Sequence, residues 1–559
     1  MRKVSGSEFR VWSFADSLQR FSILFISFFL FPQIGFAQHA LPLSAGVSQE
    51  EIFLHNSSSH SSVKPYLDID LDGKSYSPNA NDGGYFDIYV HDYHRNTFKN
   101  YYKNGKDTSD AKDGGKTAFL IRPIYDFNFG KDLKTKSTLL STIGGVILDA
   151  DYKQKIGIEA RFAGGTISLP NYSDSIAHFS GVVPGWGDRA YENGNAKYTF
   201  QHFSGNIIYR PSKIFNLQIG RDKHFWGDGY RSLFLSDIGA AMPYIKQTTT
   251  IWKLQYTSLF TWMYDWTNST GSAKDFRSKF GTFHYISFNA AKWLNLGVFE
   301  SVIWQGNSKE RQRGFDPNYL NPLIFFRPVE YSLGSSDNAM LGASFKIRFN
   351  ANNILYAQIL LDEFYLKEIL ARNGWWANKQ GYQLGYKCFN FATVKNLFMQ
   401  TELNIVRPYT YSHGSPQQSY SNAGMPLAHP LGANFAEMIG ILSYSYKGFT
   451  VTGKLIGARY GRDTGNTDYG QNIFLSYINR TSTIPGHPNQ KDYNHKLFDG
   501  VGTNIFYAEF RASYRFNLAF PLRIELLAGV RAENNILVHK KASYFQFGLS
   551  LPLFRTYRD

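Results

Sequence analysis

Residues Phe506–Phe516 read FYAEFRASYRF, and their alternation decides the fold. Phe506, Ala508, Phe510, Ala512, Tyr514 and Phe516 form one set; Tyr507, Glu509, Arg511, Ser513 and Arg515 fall between them. A strand sends successive side chains to opposite faces, so this segment is greasy on one side and charged on the other. The next segment repeats the pattern. Leu522, Ile524, Leu526, Ala528 and Val530 share a face against Arg523, Glu525, Gly529 and Arg531, with Leu527 as the exception. A final segment, Tyr544–Phe554, sets Phe545, Phe547, Leu549, Leu551 and Leu553 on one face.

A soluble sheet could alternate in this way, but two further features favour a bilayer. Arg2, Lys3, Arg10 and Arg20 precede the run FSILFISFFLF, which leads into Gly35-Phe36-Ala37. A basic stretch, a short apolar stretch and a small-x-small site make residues 1–37 a secretory signal peptide, cleaved after Ala37. No Cys follows the cleavage point, so no lipoprotein anchor is expected. No later segment approaches the roughly 18 apolar residues of a spanning helix. Mean hydropathy is −0.32, yet 17% of residues are aromatic. Such a chain can still cross a bilayer as a closed antiparallel β-barrel, in which every backbone group is paired. The predicted fold class is therefore all-β, in the outer membrane of a Gram-negative bacterium.

About 520 residues remain after cleavage, enough for roughly 16–18 strands in one domain. A barrel that wide holds water, loops or a plug in its lumen. Residues 38–116 lack a sustained period and read as a periplasmic extension or plug; the barrel occupies 117–559. Strand rhythm is visible in Ile156–Phe162, Phe345–Phe349 and Leu355–Leu361, with the inward set of the last ending at Asp362. Short turns are predicted at 289–292, 350–353, 446–449 and 517–521, on the periplasmic side. Polar stretches at 169–196, 267–279, 306–337, 410–432 and 480–502 suit extracellular loops.

The single Cys388 excludes an internal disulfide and thiolate clusters, and reads as a small buried filler in a strand. The net charge of +15 attracts acidic partners such as lipopolysaccharide phosphates and acidic surface polysaccharide. It also agrees with a simple decoration of loops and lumen by Lys and Arg. Export and the lack of a recognised module exclude nucleic acid. No His pattern suits zinc, and no metal or cofactor is expected.

Two stretches concentrate polar chemistry. Gly220–Asp237, GRDKHFWGDGYRSLFLSD, supplies Arg221, Asp222, His224, Asp228 and Arg231, with Gly227 and Gly229 expected to adopt unusual backbone angles. An Asp/His pair with Ser232 or Ser236 would be a catalytic reading, but the spacing matches no nucleophile motif, so no enzyme is predicted. A lumenal loop held by Arg–carboxylate bonds suits these residues. The second stretch, 321–364, supplies Arg327, Glu330, Asp337, Asn338, Arg348, Asp362 and Glu363, with Asp362 expected to pair with Arg327 or Arg348 inside the barrel. These groups read as an inner salt-bridge network or as ligand contacts. Trp226, Trp375, Trp376, Tyr409 and Tyr411 are aromatic candidates for sugar stacking or interface anchoring.

GRDKHFWGDGYRSLFLSD followed by NPLIFFRPVEYSLGSSDNAMLGASFKIRF and LLDEF resembles the capsule assembly protein Wzi family, in particular its gliding-motility RemB-like branch from Bacteroidetes. The resemblance spans roughly residues 58 to 554. It implies an outer-membrane barrel of about 18 strands with a helical periplasmic portion. It also implies a role in attaching or organising surface polysaccharide, or in surface motility with a motility or secretion machinery as partner. The rival reading is a transport channel.

Overall fold

The computed structural model describes residues 40, 43, 60–67, 117–152, 155–194, 196–266, 273–306, 314, 316, 319, 337–516, 522–550 and 559. The signal segment, the proposed helical portion and most of 38–116 lie outside them, as do Arg327 and Glu330.

Eighteen antiparallel strands close into one barrel. In chain order they are β1 (Thr117–Asp132), β2 (Thr138–Tyr152), β3 (Ile156–Ser168), β4 (Lys197–Tyr209), β5 (Phe215–Asp222) and β6 (Met242–Ile251). There follow β7 (Leu254–Asp265), β8 (Arg277–Ala291), β9 (Leu294–Gln305), β10 (Asn338–Arg348), β11 (Asn353–Leu361) and β12 (Gln380–Cys388). The last six are β13 (Leu397–Val406), β14 (Phe435–Tyr446), β15 (Phe449–Arg462), β16 (Val501–Arg515), β17 (Arg523–Asn534) and β18 (His539–Ser550). Each pairs with its neighbour, and β18 returns to β1, with Asp126 opposite Ser550 and Asp132 opposite Tyr544. Closure leaves no edge strand, which is what a hydrocarbon environment demands.

The faces sort by period two. On β16, Phe506 and Phe510 are about half exposed while Tyr507 and Glu509 are buried. Phe127 and Phe129 on β1, Leu384 on β12, Leu403 on β13, Leu455 on β15 and Phe547 on β18 join the exposed apolar band. Facing inward are Glu159 and Arg161, Gln358, Gln383, Glu402, Glu437, Lys454 and Glu509, all buried. The interior is thus a polar one, and its charges are paired: Arg161 Nη1 lies 2.9 Å from Asp222 and also meets Glu159. Arg511 lies 3.2 Å from Glu525. Among the described residues no helix is long and apolar enough to cross a membrane.

Turns such as Trp252–Lys253 and Lys447–Gly448 mark the periplasmic end, and the long connections mark the extracellular end. The latter carry helix α1 (Asn171–Ser180) and the one-and-a-half-turn α2 (Leu366–Ala371). Strand β12 ends at Cys388, which is partly buried on the outer-face register of Tyr382 and Leu384 rather than fully buried as a filler. Its parity decides this: residues 382, 384, 386 and 388 share one face.

Candidate functional site

The connection from β5 to β6 turns into the lumen instead of standing above it. Its Phe225–Trp226 pair with Val63–Lys64, so an N-terminal segment and the loop meet inside the barrel. Lys64 Nζ donates to the Gly227 carbonyl at 3.0 Å, and Ser62 Oγ to Asp228 at 2.8 Å.

Wall residues of five successive strands hold this loop. From β10, Lys346 Nζ lies 3.0 Å from Asp228. From β11, Gln358 Oε1 accepts the Leu233 N–H at 2.8 Å. From β12, Gln383 Nε2 donates to the Arg231 carbonyl at 3.0 Å. From β13, Glu402 accepts the N–H groups of Tyr230 and Arg231 at 2.7 and 3.0 Å. It also accepts the Tyr356 hydroxyl at 2.7 Å and the Asn404 amide at 2.9 Å, so a buried carboxylate is fully satisfied. From β14, Glu437 lies 3.2 Å from Arg231 and accepts His429 Nε2 at 2.7 Å. The Asp559 carboxylate joins at Arg231 and at Lys454, the latter 3.2 Å away. Apolar packing adds to these bonds. Trp226, Leu233, Phe234 and Leu235 form one cluster with Leu259, Phe283, Phe299 and Leu360 of the wall, and Phe234 stacks on Phe299 at 4.6 Å.

Electrostatics follow from this packing. Burial raises the Asp228 carboxyl, but the Lys346, Lys64 and Lys387 ammonium groups win and hold it at about 2. Burial, helped by Lys246, drives His224 well below the usual imidazole value and keeps it neutral. Neither ring nitrogen of His224 has a hydrogen-bond partner among the described residues; the ring packs edge-on against Tyr244.

Gly227 and Gly229 differ from the expectation of unusual backbone angles, since neither has a positive φ. They are glycines because of close approach. A Cβ on Gly229 would meet Glu402 Oε2 at 2.4 Å, and one on Gly227 would meet Gln358 Nε2 at 2.7 Å. The catalytic reading is not assembled: Ser232 Oγ is committed to the Trp226 carbonyl at 2.5 Å and accepts the Phe234 N–H.

The other candidates form a knot at the extracellular rim. Asp362 accepts the Tyr411 N–H at 2.8 Å, and Lys379 lies 3.3 Å from Glu363 and 3.7 Å from Asp362. Tyr411 donates its hydroxyl to the Leu233 carbonyl at 2.9 Å, tying rim to lumenal loop. Asp337 accepts Tyr319 and Gln418, and Asn338 donates to the Gln418 carbonyl. Arg221 reaches toward Asp188 at 3.8 Å and donates to the Phe203 carbonyl. The expected partnership of Arg348 with Asp362 is corrected. Arg348 ends β10 at the periplasmic turn, opposite Ile354, and donates to the Lys292 carbonyl, whereas Asp362 follows β11 at the far end. Trp226, Tyr409 and Tyr411 are also corrected as surface aromatics, because all three are buried within loop packing. Trp375 and Trp376 are half-buried. Trp376 packs on Tyr477 at 4.7 Å under the Arg480 guanidinium at 4.3 Å, and Lys379 lies 4.4 Å over Tyr477.

Sequence reasoning missed Gln383, Glu402 and Glu437, and it gave Gln358 an inward register without a partner. Their only signal was a polar residue on the inward register of a strand, shared with many others. Tyr477 and Arg480 lay unremarked in a loop.

No family model matches the chain, and no curated protein matches it. Among solved structures it is similar to Wzi of Escherichia coli, described as an outer membrane protein involved in group 1 capsule assembly and a carbohydrate binding β-barrel. The TM-score is 0.53 at 12% identity, over 93% of this chain and all of that one. It also matches OprD of Pseudomonas aeruginosa (TM-score 0.41, 8% identity, 78% of this chain and 94% of that one). A third match is OccAB2 of Acinetobacter baumannii (TM-score 0.42, 10% identity, 78% and 97%). This chain is an outer-membrane β-barrel. The fold is shared with a carbohydrate-binding barrel at a sequence distance where residue roles do not transfer.

Proposed function

We propose that this protein is a non-enzymatic outer-membrane barrel that holds acidic surface polysaccharide at its extracellular loop face. The observation that carries the reading is the lumenal loop bonded to β10 through β14. A lumen occupied in this way favours a binding surface over a solute path. Above it, the half-buried Trp376, Tyr477 and Arg480 combine rings with a cation. Rings stack on sugar faces and cations attract carboxylates, which is the chemistry an acidic glycan needs. The net charge of +15 works in the same direction. The fold shared with a carbohydrate-binding barrel supports the reading. Holding polymer at the surface would also serve gliding, which links the two roles the resemblance implies.

The test compares cells with and without the protein. Loss of the protein should release surface polymer into the medium and alter spreading on a surface. Trp376→Ala with Arg480→Gln, in a barrel that still folds, should release polymer as the deletion does. Unchanged polymer retention and unchanged spreading in the deletion would reject the reading.

A further inference from the structure

The extracellular rim carries a second feature, on the outside of the wall. Tyr382 and Leu384 of β12 and Leu403 of β13 face lipid and are exposed. The same period-two register puts Gln380 and Arg407 on that outer face, and the Arg407 N–H donates to the Gln380 carbonyl at 2.9 Å. Yet Gln380 is buried, because α2 and the 494–497 segment cover it. Between them lies a cavity of about 500 Å³, lined by Glu368, Arg372, Gln380, Arg407, His495 and Lys496 among others.

Its charges are unbalanced. Arg407 Nε is held by the Asn378 carbonyl at 2.7 Å, and no carboxylate among the described residues bonds its terminal nitrogens. Neither Arg372 nor Lys496 forms an ion pair with a described residue. The acids are fewer than the cations: Glu368 lines the cavity and accepts the Asn373 amide, and Asp499 lies near Arg407 and accepts the Lys496 backbone N–H at 2.7 Å, so three cations face two carboxylates. Beside the cavity, Phe364, Tyr365, Leu366 and Leu370 expose large apolar surfaces on and before α2. Cations next to exposed apolar side chains, at the outer rim and continuous with the lipid face, match one kind of molecule. It has an anionic head and acyl chains.

We propose that this rim cavity is a docking site for a phosphorylated glycolipid of the outer leaflet. Its phosphate would sit among Arg372, Arg407 and Lys496, where a guanidinium bonds two phosphate oxygens at once. Its acyl chains would lie along Leu366, Leu370 and Leu384. The site does not depend on the polysaccharide reading, since it uses the outer face of the wall and none of Trp376, Tyr477, Arg480 or Lys379.

The experiment is native mass spectrometry of the full-length protein in detergent, titrated with diphosphoryl lipid A, monophosphoryl lipid A or trigalacturonate. The wild type should retain diphosphoryl lipid A, hold the monophosphoryl form more weakly, and show no competition by trigalacturonate. Each of Arg372→Gln, Arg407→Gln and Lys496→Gln should weaken lipid A binding about fivefold. Heat-dependent gel mobility establishes that each variant is a folded barrel. Should these variants not fold, Leu366→Ser with Leu370→Ser carries the test and should also lose lipid A. Lipid A retention equal to wild type in a folded variant would overturn the proposal. So would trigalacturonate binding that the cation substitutions abolish while lipid A binding persists.

Discussion

Gly229 sits where any side chain would strike the Glu402 carboxylate, and Glu402 in turn holds the backbone of Tyr230 and Arg231. Gly229→Ala should therefore destabilise the barrel by about 1–3 kcal/mol, as overpacking does. Glu402→Gln keeps the volume but turns a donor toward those N–H groups, costing about 1.5–3 kcal/mol. Urea unfolding of the refolded barrel measures both. In the β15–β16 loop, Asp468 accepts the Gly470 N–H with one oxygen while the other has no hydrogen-bond partner among the described residues. Burial, then Asp463, pushes its carboxyl up to about 7, against the Gly470 N–H and Arg480. The folded loop thus binds a proton that the unfolded chain releases near pH 4, and its stability falls as pH rises from about 4 to about 7. Amide protection factors in 463–500, corrected for the intrinsic pH dependence of exchange, should be higher at pH 5 than at pH 8, and Asp468→Asn should remove the difference. Protection factors in the wild type that do not change with pH would refute that assignment.

At the scale of elements, period two governs what a strand tolerates. Phe510 faces outward on β16, while its neighbour Arg511 faces inward to Glu509 and Glu525. Phe510→Arg should cost about 2–4 kcal/mol in a bilayer, the penalty of a charge on the lipid side. A cost below 1 kcal/mol would mean the register is wrong by one residue. The same period explains what could be read beforehand. The inward course of Tyr356 and Gln358 follows from alternation alone. The charges and glycines crowded into Gly220–Asp237 were visible too. Its wall partners were not, because Glu402 lies 171 residues beyond Arg231 and only barrel closure brings them together. The outward placement of Arg407 was equally hidden, since it depends on where β13 ends.

For the whole molecule, apolar residues face out, charges face in, and a loop latched to five strands occupies the middle. Inward acids such as Glu402, Glu437 and Asp228 are stable there because each has a cation or several N–H donors. Opening such a lumen means breaking many charge-assisted bonds together. Replacing both Glu402 and Arg231 by Ala should loosen the loop and admit ions that the intact protein excludes. Single-channel recording of the full-length protein in planar bilayers tests this most directly. The wild type should give no steady openings, and the double variant should give discrete ones. Steady ohmic openings from the wild type would contradict the sealed barrel on which the binding role depends.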